Sequence, residues 1–246
     1  MGTRGIEIGG VEVDAVDERE ALERIEAMVA EGRPHLMVVV NASKLVLASV
    51  DERLRGILQR ADLVTADGMS VVWGARMLGA TLPGRVTGID TMQQVVALAA
   101  ARGWRVFFLG AKREAVERAV ANLRSAYPAL VVAGVRDGYF RGKEAEVVAE
   151  VRDAKSDVLF VGMGSPAQEY FLAENLDRLG AAFSLGVGGS FDHIAGHVRR
   201  APAWMQRAGL EWAHRFALEP RRLWRRYLIG NARFAVLLWR ERRRRA

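Results

Sequence analysis

The sequence predicts an α/β fold, a Rossmann-like parallel sheet with helices on both faces, followed by a basic amphipathic helical appendage at the C-terminus. Three observations carry this. Short apolar runs, such as Leu36–Val40, Arg105–Leu109 and Asp157–Val161, alternate with longer stretches whose apolar residues recur at helical spacing. The runs are continuous, as in strands buried on both faces, and strands alternating with helices imply right-handed βαβ units. The last fifty residues then change character and become rich in arginine and tryptophan.

Taken in order, Ile6-Glu7-Ile8 and Val11-Glu12-Val13 alternate apolar and polar residues around Gly9-Gly10, a small hairpin. Asp17 caps a helix through Val29 that Gly32 ends. Leu36–Val40 is a buried strand that stops at Asn41-Ala42-Ser43-Lys44, with a helical pattern through Leu45 and Val50. A helix over Glu52–Arg60 leads to a short strand, Leu63-Val64, which stops at Thr65-Ala66-Asp67-Gly68-Met69 before a helix over Ser70–Leu78. Leu82-Pro83-Gly84 breaks the chain, and Arg85-Val86-Thr87-Gly88-Ile89-Asp90 enters a helix to about Ala101. Beyond Trp104 follow strands over Arg105–Leu109, Leu130–Ala133, Asp157–Val161 and Ala182–Leu185. Helices over Glu114–Ala126, Glu144–Ala154 and from Pro166 to Leu179 separate them. Residues 1–195 form the body, with acceptor-side loops in 1–103 and a nucleotide-binding part in 104–195; residues 196–246 form the appendage.

The 246 residues are half hydrophobic, enough for a sizeable core, and contain no cysteine, so disulfides and thiolate metal sites are excluded. Met1–Val16 has no apolar core of a signal peptide, and no terminal run approaches the ~20 residues of a spanning helix. A cytoplasmic protein, peripheral on the inner face of the plasma membrane, is the expectation. The charge is uneven: residues 196–246 hold fourteen arginines and three glutamates, a net +11, and the remaining 22 basic and 26 acidic residues leave −4. Such a tail suits an anionic partner, or serves solubility alone. Four of the six tryptophans lie in it (Trp204, Trp212, Trp224, Trp239), and Leu223, Trp224, Tyr227, Leu228, Phe234, Ala235 and Leu238 make one stripe at helical spacing. A basic amphipathic helix with tryptophan reads as a membrane-surface element; the alternative is a helix docked on the body. Without a helix-turn-helix or similar reading module, nucleic acid is not the expected partner.

Several loops hold candidate chemistry. Gly186-Val187-Gly188-Gly189-Ser190-Phe191-Asp192 follows a strand, and its glycines allow backbone N–H groups to approach a phosphate; it reads equally as a tight turn. Asp67 sits at a strand-to-helix loop, as a cap or as a general base. Asn41 ends a strand and offers both a donor and an acceptor to a sugar or base, and reads equally as a turn residue. Gln168-Glu169 are first-turn residues, or contacts to a sugar hydroxyl. His193 and His197 lie four apart, but no cysteine or nearby third histidine completes a metal set, and there is no Asp-x-Asp. No metal and no cofactor are therefore expected, and a leaving diphosphate would need cationic side chains or backbone dipoles.

Taken together, Ala66-Asp67-Gly68, Arg85–Asp90, Gly162–Glu169, Gly186–Asp192 and the stretch from Arg200-Ala201-Pro202 through Gly209–Trp212 to Pro220 resemble the WecG/TagA/CpsF family of bacterial glycosyltransferases. The resemblance runs from about Ile8 to Arg226. It implies a fold of the GT-E type and inverting transfer from a UDP-sugar to an undecaprenyl-diphosphate-linked sugar, in the synthesis of teichoic acid linkage units, enterobacterial common antigen or exopolysaccharide. It makes Asp67 the base, Asn41 an active-site asparagine and Gln168 a polar residue near the donor. Tyr139 would stack on uracil and Asp192 would bond it, while the backbone of Gly186, Val187, Gly188 and Gly189 would hold the diphosphate. Arg215, Arg222 and Arg225 would close over the site. One position departs: where the family often has threonine two residues before the asparagine, this chain has Val39, for which Thr65 or Ser43 could substitute. The transferred sugar is expected to be like N-acetylmannosamine, its uronic acid or glucose. Other readings are a UDP-binding, non-catalytic membrane scaffold and a nucleic-acid-binding protein. Self-association into a homo-oligomer in solution, through an apolar surface meant for the membrane, is a further expectation.

Overall fold

The structure is a computed structural model that describes residues 5–198, 200–202, 204–205, 209, 211–218 and 229–245. The hairpin strands β1 (Ile6–Ile8) and β2 (Val11–Val13) pair antiparallel. Gly9 and Gly10 both have positive φ, 67° and 75°, as the two-residue turn matching strand twist requires. Then follow α1 (Glu18–Glu31), β3 (His35–Val40), α2 (Ala42–Ala48), α3 (Glu52–Arg60), β4 (Leu63–Ala66), α4 (Met69–Met77) and α5 (Gly88–Arg102). The second half comprises β5 (Arg105–Gly110), α6 (Arg113–Ala126), β6 (Val131–Arg136), α7 (Glu144–Asp153), β7 (Val158–Gly162), α8 (Ala167–Leu179), β8 (Phe183–Gly186) and α9 (Ser190–Ile194). Two further helices are α10 (Glu211–Leu218) and α11 (Gly230–Arg245). Side-chain oxygens of Asp17, Asn41, Asp51 and Thr87 accept from backbone N–H groups at the starts of α1, α2, α3 and α5, which is why those helices begin where they do.

Strands β3 to β8 form one six-stranded parallel sheet in the order β4-β3-β8-β7-β5-β6. Alternate residues feed two cores. Leu36, Val38, Val40, Leu159 and Val161 face a layer that includes α2, α3, α4, α7 and α8, while Met37, Val39, Val158, Phe160 and Leu185 face a layer of α1, α5, α6 and α9. Both faces are covered, which explains the unbroken apolar runs. Strands β3 and β8 are neighbours, second and third in that order. The chain leaves β3 outward toward β4, and leaves β8 toward α9, which packs on α6 on the other side. Their carboxyl ends therefore flank a crevice, the place where open α/β sheets bind ligands.

Two strands run further than the sequence predicts. β4 continues through Thr65 and Ala66, in register with Val39 and Val40 of β3. Edge strand β6 continues to Arg136, because Gly134 lets the Phe107 ring lie against the backbone where a Cβ would come within 2.3 Å. The glycine at 134 and the arginine at 136 break the apolar run, so the last three residues of this edge strand do not read as strand from the sequence.

The tail corrects a larger expectation. Phe234 and Leu238, placed on a membrane-facing stripe, are each 4% exposed and pack against the body, their ends over Gly74 of α4. Helix α11 also rests on α2. Glu241 accepts from the Gly9 N–H and Arg245 donates to the Glu7 carbonyl, tying the end of the chain to the hairpin at its start. Ala235, on the same predicted stripe, is exposed. The apolar stripe in this segment is thus body-docked core. Residues Leu223 to Leu228, with Arg222 and Arg225, lie outside the described residues, as does the side chain of Arg215. Among the described residues no helix is long and apolar enough to cross a membrane.

Candidate active site

The crevice at the ends of β3, β4 and β8 is a cleft of about 540 Å³, within the usual range for ligand pockets. Its lining includes Asn41 after β3, Asp67 after β4, Gly88 and Ile89 at the start of α5, Gln168 on α8, Gly186–Gly189 after β8, and Asp192. Residues separated by up to 159 positions, Val39 and Val198, thus share one cavity because parallel strands deliver all their carboxyl ends to one edge.

Asp67 is half-buried and does not cap α4, whose N-cap is Gly68. Its backbone N–H donates to the Val40 carbonyl at 2.8 Å, and its Oδ1 accepts from the Gly88 N–H, the first of α5, at 3.2 Å. The carboxylate is therefore oriented by one oxygen. A carboxylate held in a cleft this way can take a proton from a bound hydroxyl. Asn41 caps α2 through Oδ1, which accepts from the Lys44 N–H at 3.1 Å, so its Nδ2 is the group left to donate into the cleft.

The glycine loop differs from a simple phosphate cradle. The Val187 N–H donates to the Val161 carbonyl, the Gly188 N–H to Gln168 Oε1, and the Ser190 N–H to the Val187 carbonyl. These bonds set the loop's shape and occupy two of the groups predicted to meet a diphosphate, the N–H groups of Val187 and Gly188. Gln168 itself is 2% exposed, with Nε2 donating to Glu169. A Cβ on Gly186 would come within 2.4 Å of that Nε2, which is why this position is glycine.

Tyr139, expected to stack on a base, is 74% exposed and is not among the residues lining the cleft; its loop is held by the Tyr139 N–H donating to Asp137. Thr65 cannot replace the threonine missing at Val39, because it is fully buried and donates to the Val86 carbonyl. Ser43 does line the cleft, as does Val39 itself. Lys44 and His193 also line it without having been assigned a role. A sequence signal for Lys44 existed: it is a charge on the same helical face as buried Leu45 and Ala48.

One rim of the site is bound to the appendage by four charges. Arg200 donates to both oxygens of Asp90, at 2.6 and 2.7 Å, and to Glu211 at 3.2 Å, while Arg85 pairs with the other Glu211 oxygen. Burial works against ionisation of Asp90, but bonds from Arg200 and Thr87 outweigh it and hold the carboxyl below its ordinary range. Glu211 is likewise held low, with Arg85 and Arg200 outweighing burial. Three sequence blocks, around residues 85–90, 200 and 211, thus prove to be one lattice clamping α10 to the start of α5.

A parallel sheet with a cleft at its switch point, lined by a carboxylate, an amide and a glycine loop, defines a Rossmann-like protein with its candidate active site at the strand ends. A sequence model described as "Glycosyl transferase WecG/TagA/CpsF family" matches residues 6–246, and the chain belongs to this family of glycosyltransferases. Over 230 residues it is 30% identical to a Bacillus subtilis (strain 168) protein named N-acetylglucosaminyldiphosphoundecaprenol N-acetyl-beta-D-mannosaminyltransferase, covering 93% of this chain and 85% of that one. A protein of the same name from Bacillus spizizenii (strain ATCC 23059 / NRRL B-14472 / W23) is 33% identical over 181 residues, 74% of this chain and 70% of that one.

Proposed function

We propose that this glycosyltransferase moves N-acetylmannosamine, or a hexose like it, from a UDP-sugar to an N-acetylglucosaminyl-diphospho-polyprenol, with inversion at the anomeric carbon. The observation that carries the reading is the convergence of Asp67 and Asn41 on one side of the cleft with the Gly186–Gly189 loop on the other. The names of the two relatives support the acceptor and the transferred sugar. Asp67 removes the proton from the acceptor hydroxyl, whose oxygen attacks the anomeric carbon as the bond to UDP breaks. Asn41 Nδ2 orients a sugar oxygen, and Asp192 bonds the donor. Charge on the leaving diphosphate is met by the Gly189 end of the glycine loop, beyond the N–H groups that the loop's own bonds use, together with Arg215, Arg222 and Arg225 of the appendage. Differential stabilisation of that charge is the largest rate contribution available to such a site.

The acceptor's lipid places the work at a bilayer, and the outer face of α11 suits an anionic leaflet on the cytoplasmic side. It exposes Val236 and Trp239 among Arg233, Arg240 and Arg243, with the Arg243 guanidinium 3.7 Å over the Trp239 ring; neighbouring α4 exposes Trp73 and Met77. Tryptophan and arginine together are the usual interfacial pairing.

The test is release of UDP from a panel of UDP-sugars with a short-chain lipid-diphosphate N-acetylglucosamine acceptor, comparing wild type with Asp67→Asn. Turnover with UDP-N-acetylmannosamine that falls about 10²- to 10⁴-fold in the variant is the expected result. An Asp67→Asn enzyme as fast as wild type removes Asp67 as the base, and no UDP binding by wild type removes the donor site.

A further inference from the structure

A buried ion pair leads from the wall of the cleft, at Lys44, to Glu169 behind it. Lys44 on α2 is 5% exposed and Glu169 on α8 is 1% exposed. The Lys44 ammonium donates to Glu169 Oε1 at 2.7 Å and to the Val39 carbonyl at 2.7 Å. The same Glu169 oxygen accepts from Gln168 Nε2 at 3.0 Å, and Gln168 Oε1 accepts from the Gly188 N–H at 3.0 Å. With the Lys44 N–H donating to Asn41 Oδ1, one continuous hydrogen-bonded chain leads from Asn41, through Lys44, Glu169 and Gln168, to the glycine loop.

Stability alone does not account for this arrangement. Burying two charges costs more than their attraction returns unless the geometry is good, and well-packed apolar residues would fill the space at least as well. Glu169 Oε2 is moreover buried with no partner among the described residues, a further cost that the fold carries. What the pair does provide is direction. A glutamine amide can turn over end for end, and the fixed Glu169 oxygen admits only the orientation with Nε2 inward, which aims Oε1 at Gly188. The loop is in turn shaped around that amide, since Gly186 leaves no space for even a Cβ beside it.

We propose that Lys44 and Glu169 are positioning residues for the donor: through Gln168 they hold the Gly186–Gly189 loop in its donor-receiving shape, so that donor affinity depends on a carboxylate outside the cleft lining. This rests on the reading of the cleft as a UDP-sugar site. The variant to test is Lys44→Met/Glu169→Gln, which removes both charges at nearly constant volume and strands neither. UDP affinity by calorimetry, donor KM and kcat, and exchange of the Gly188 amide by NMR are measured beside the thermal midpoint. The expected result is a folded protein that binds UDP tenfold or more weakly, with donor KM raised more than kcat is lowered, and a faster-exchanging Gly188 amide. A folded double variant with wild-type UDP affinity, donor KM and Gly188 protection overturns the proposal. Should the double variant not fold, Glu169→Gln alone, which leaves Lys44 a carbonyl acceptor, is judged by the same readouts. A wild type that binds no UDP would strike the donor reading instead, and Gly188 exchange would still decide whether the pair holds the loop.

Discussion

Replacing Leu238 by alanine separates a tail helix docked on the body from one whose apolar face is kept for a bilayer. Leu238 is 4% exposed, and both its Cδ atoms lie 3.1 Å from where a Cβ on Gly74 would stand, so its side chain fills a groove made by the absence of one on α4. Truncating a buried leucine to alanine costs about 2–5 kcal/mol, depending on how far the surroundings collapse. Helix α11 ends at Arg245 and can settle toward α4, so a value near 3 kcal/mol is appropriate. If α11 undocks as a local unit, that energy lowers the docked-to-undocked ratio on the order of 100-fold. Hydrogen exchange of amides in 234–240, read by mass spectrometry, should accelerate by about that factor, while exchange in β8 and β7 at the sheet centre stays near wild type. Unchanged exchange in 234–240 would refute the docking argument. Weakened binding to anionic vesicles with unchanged exchange would return Leu238 to the membrane-facing role.

Three more outcomes follow from the geometry. Gly186→Ala puts a Cβ 2.4 Å from Gln168 Nε2, and displacing that buried amide should cost about 2–4 kcal/mol in urea denaturation and weaken UDP binding; full stability with normal binding would contradict the packing. The carboxyls of Asp90 and Glu211 are held below their ordinary values of 3.8 and 4.5. Their contribution is therefore complete above about pH 4.5 and is lost as pH falls through the lowered values, so Trp212 fluorescence should report release of α10 in acid, and Arg200→Gln should move that transition to higher pH. Glu241 has the opposite sign: burial first, offset only in part by the Gly9 N–H, raises its carboxyl above 4.5, so docking of α11 should strengthen as pH falls through the raised value. Glu241→Gln should abolish that strengthening in urea midpoints compared at pH 5 and pH 7; a variant that still shows it would place the titration elsewhere.

The sequence by itself determined most of the sheet. Continuous apolar runs can be satisfied only by burial on both faces, and a polar cap such as Asp17 acts within one helical turn, so local chemistry sufficed to place them. It also marked the loops that carry Asp67, Asn41 and the glycines, because a strand that ends in polar or glycine-rich residues needs no distant information to be seen. The strand order could not be read this way. Only the tertiary structure set β8 beside β3 and so brought residue 41 to residue 188. The same holds for the pairing of Lys44 with Glu169, 125 positions apart, which depends on α2 and α8 sharing one face of the sheet. Tyr139 and Thr65 were suitable residue types in suitable loops, yet one is left at the surface and the other is turned into the core. The apolar side of the tail was equally legible as a stripe, but a stripe does not state its partner: Gly74, by having no side chain, decided that Phe234 and Leu238 face the body.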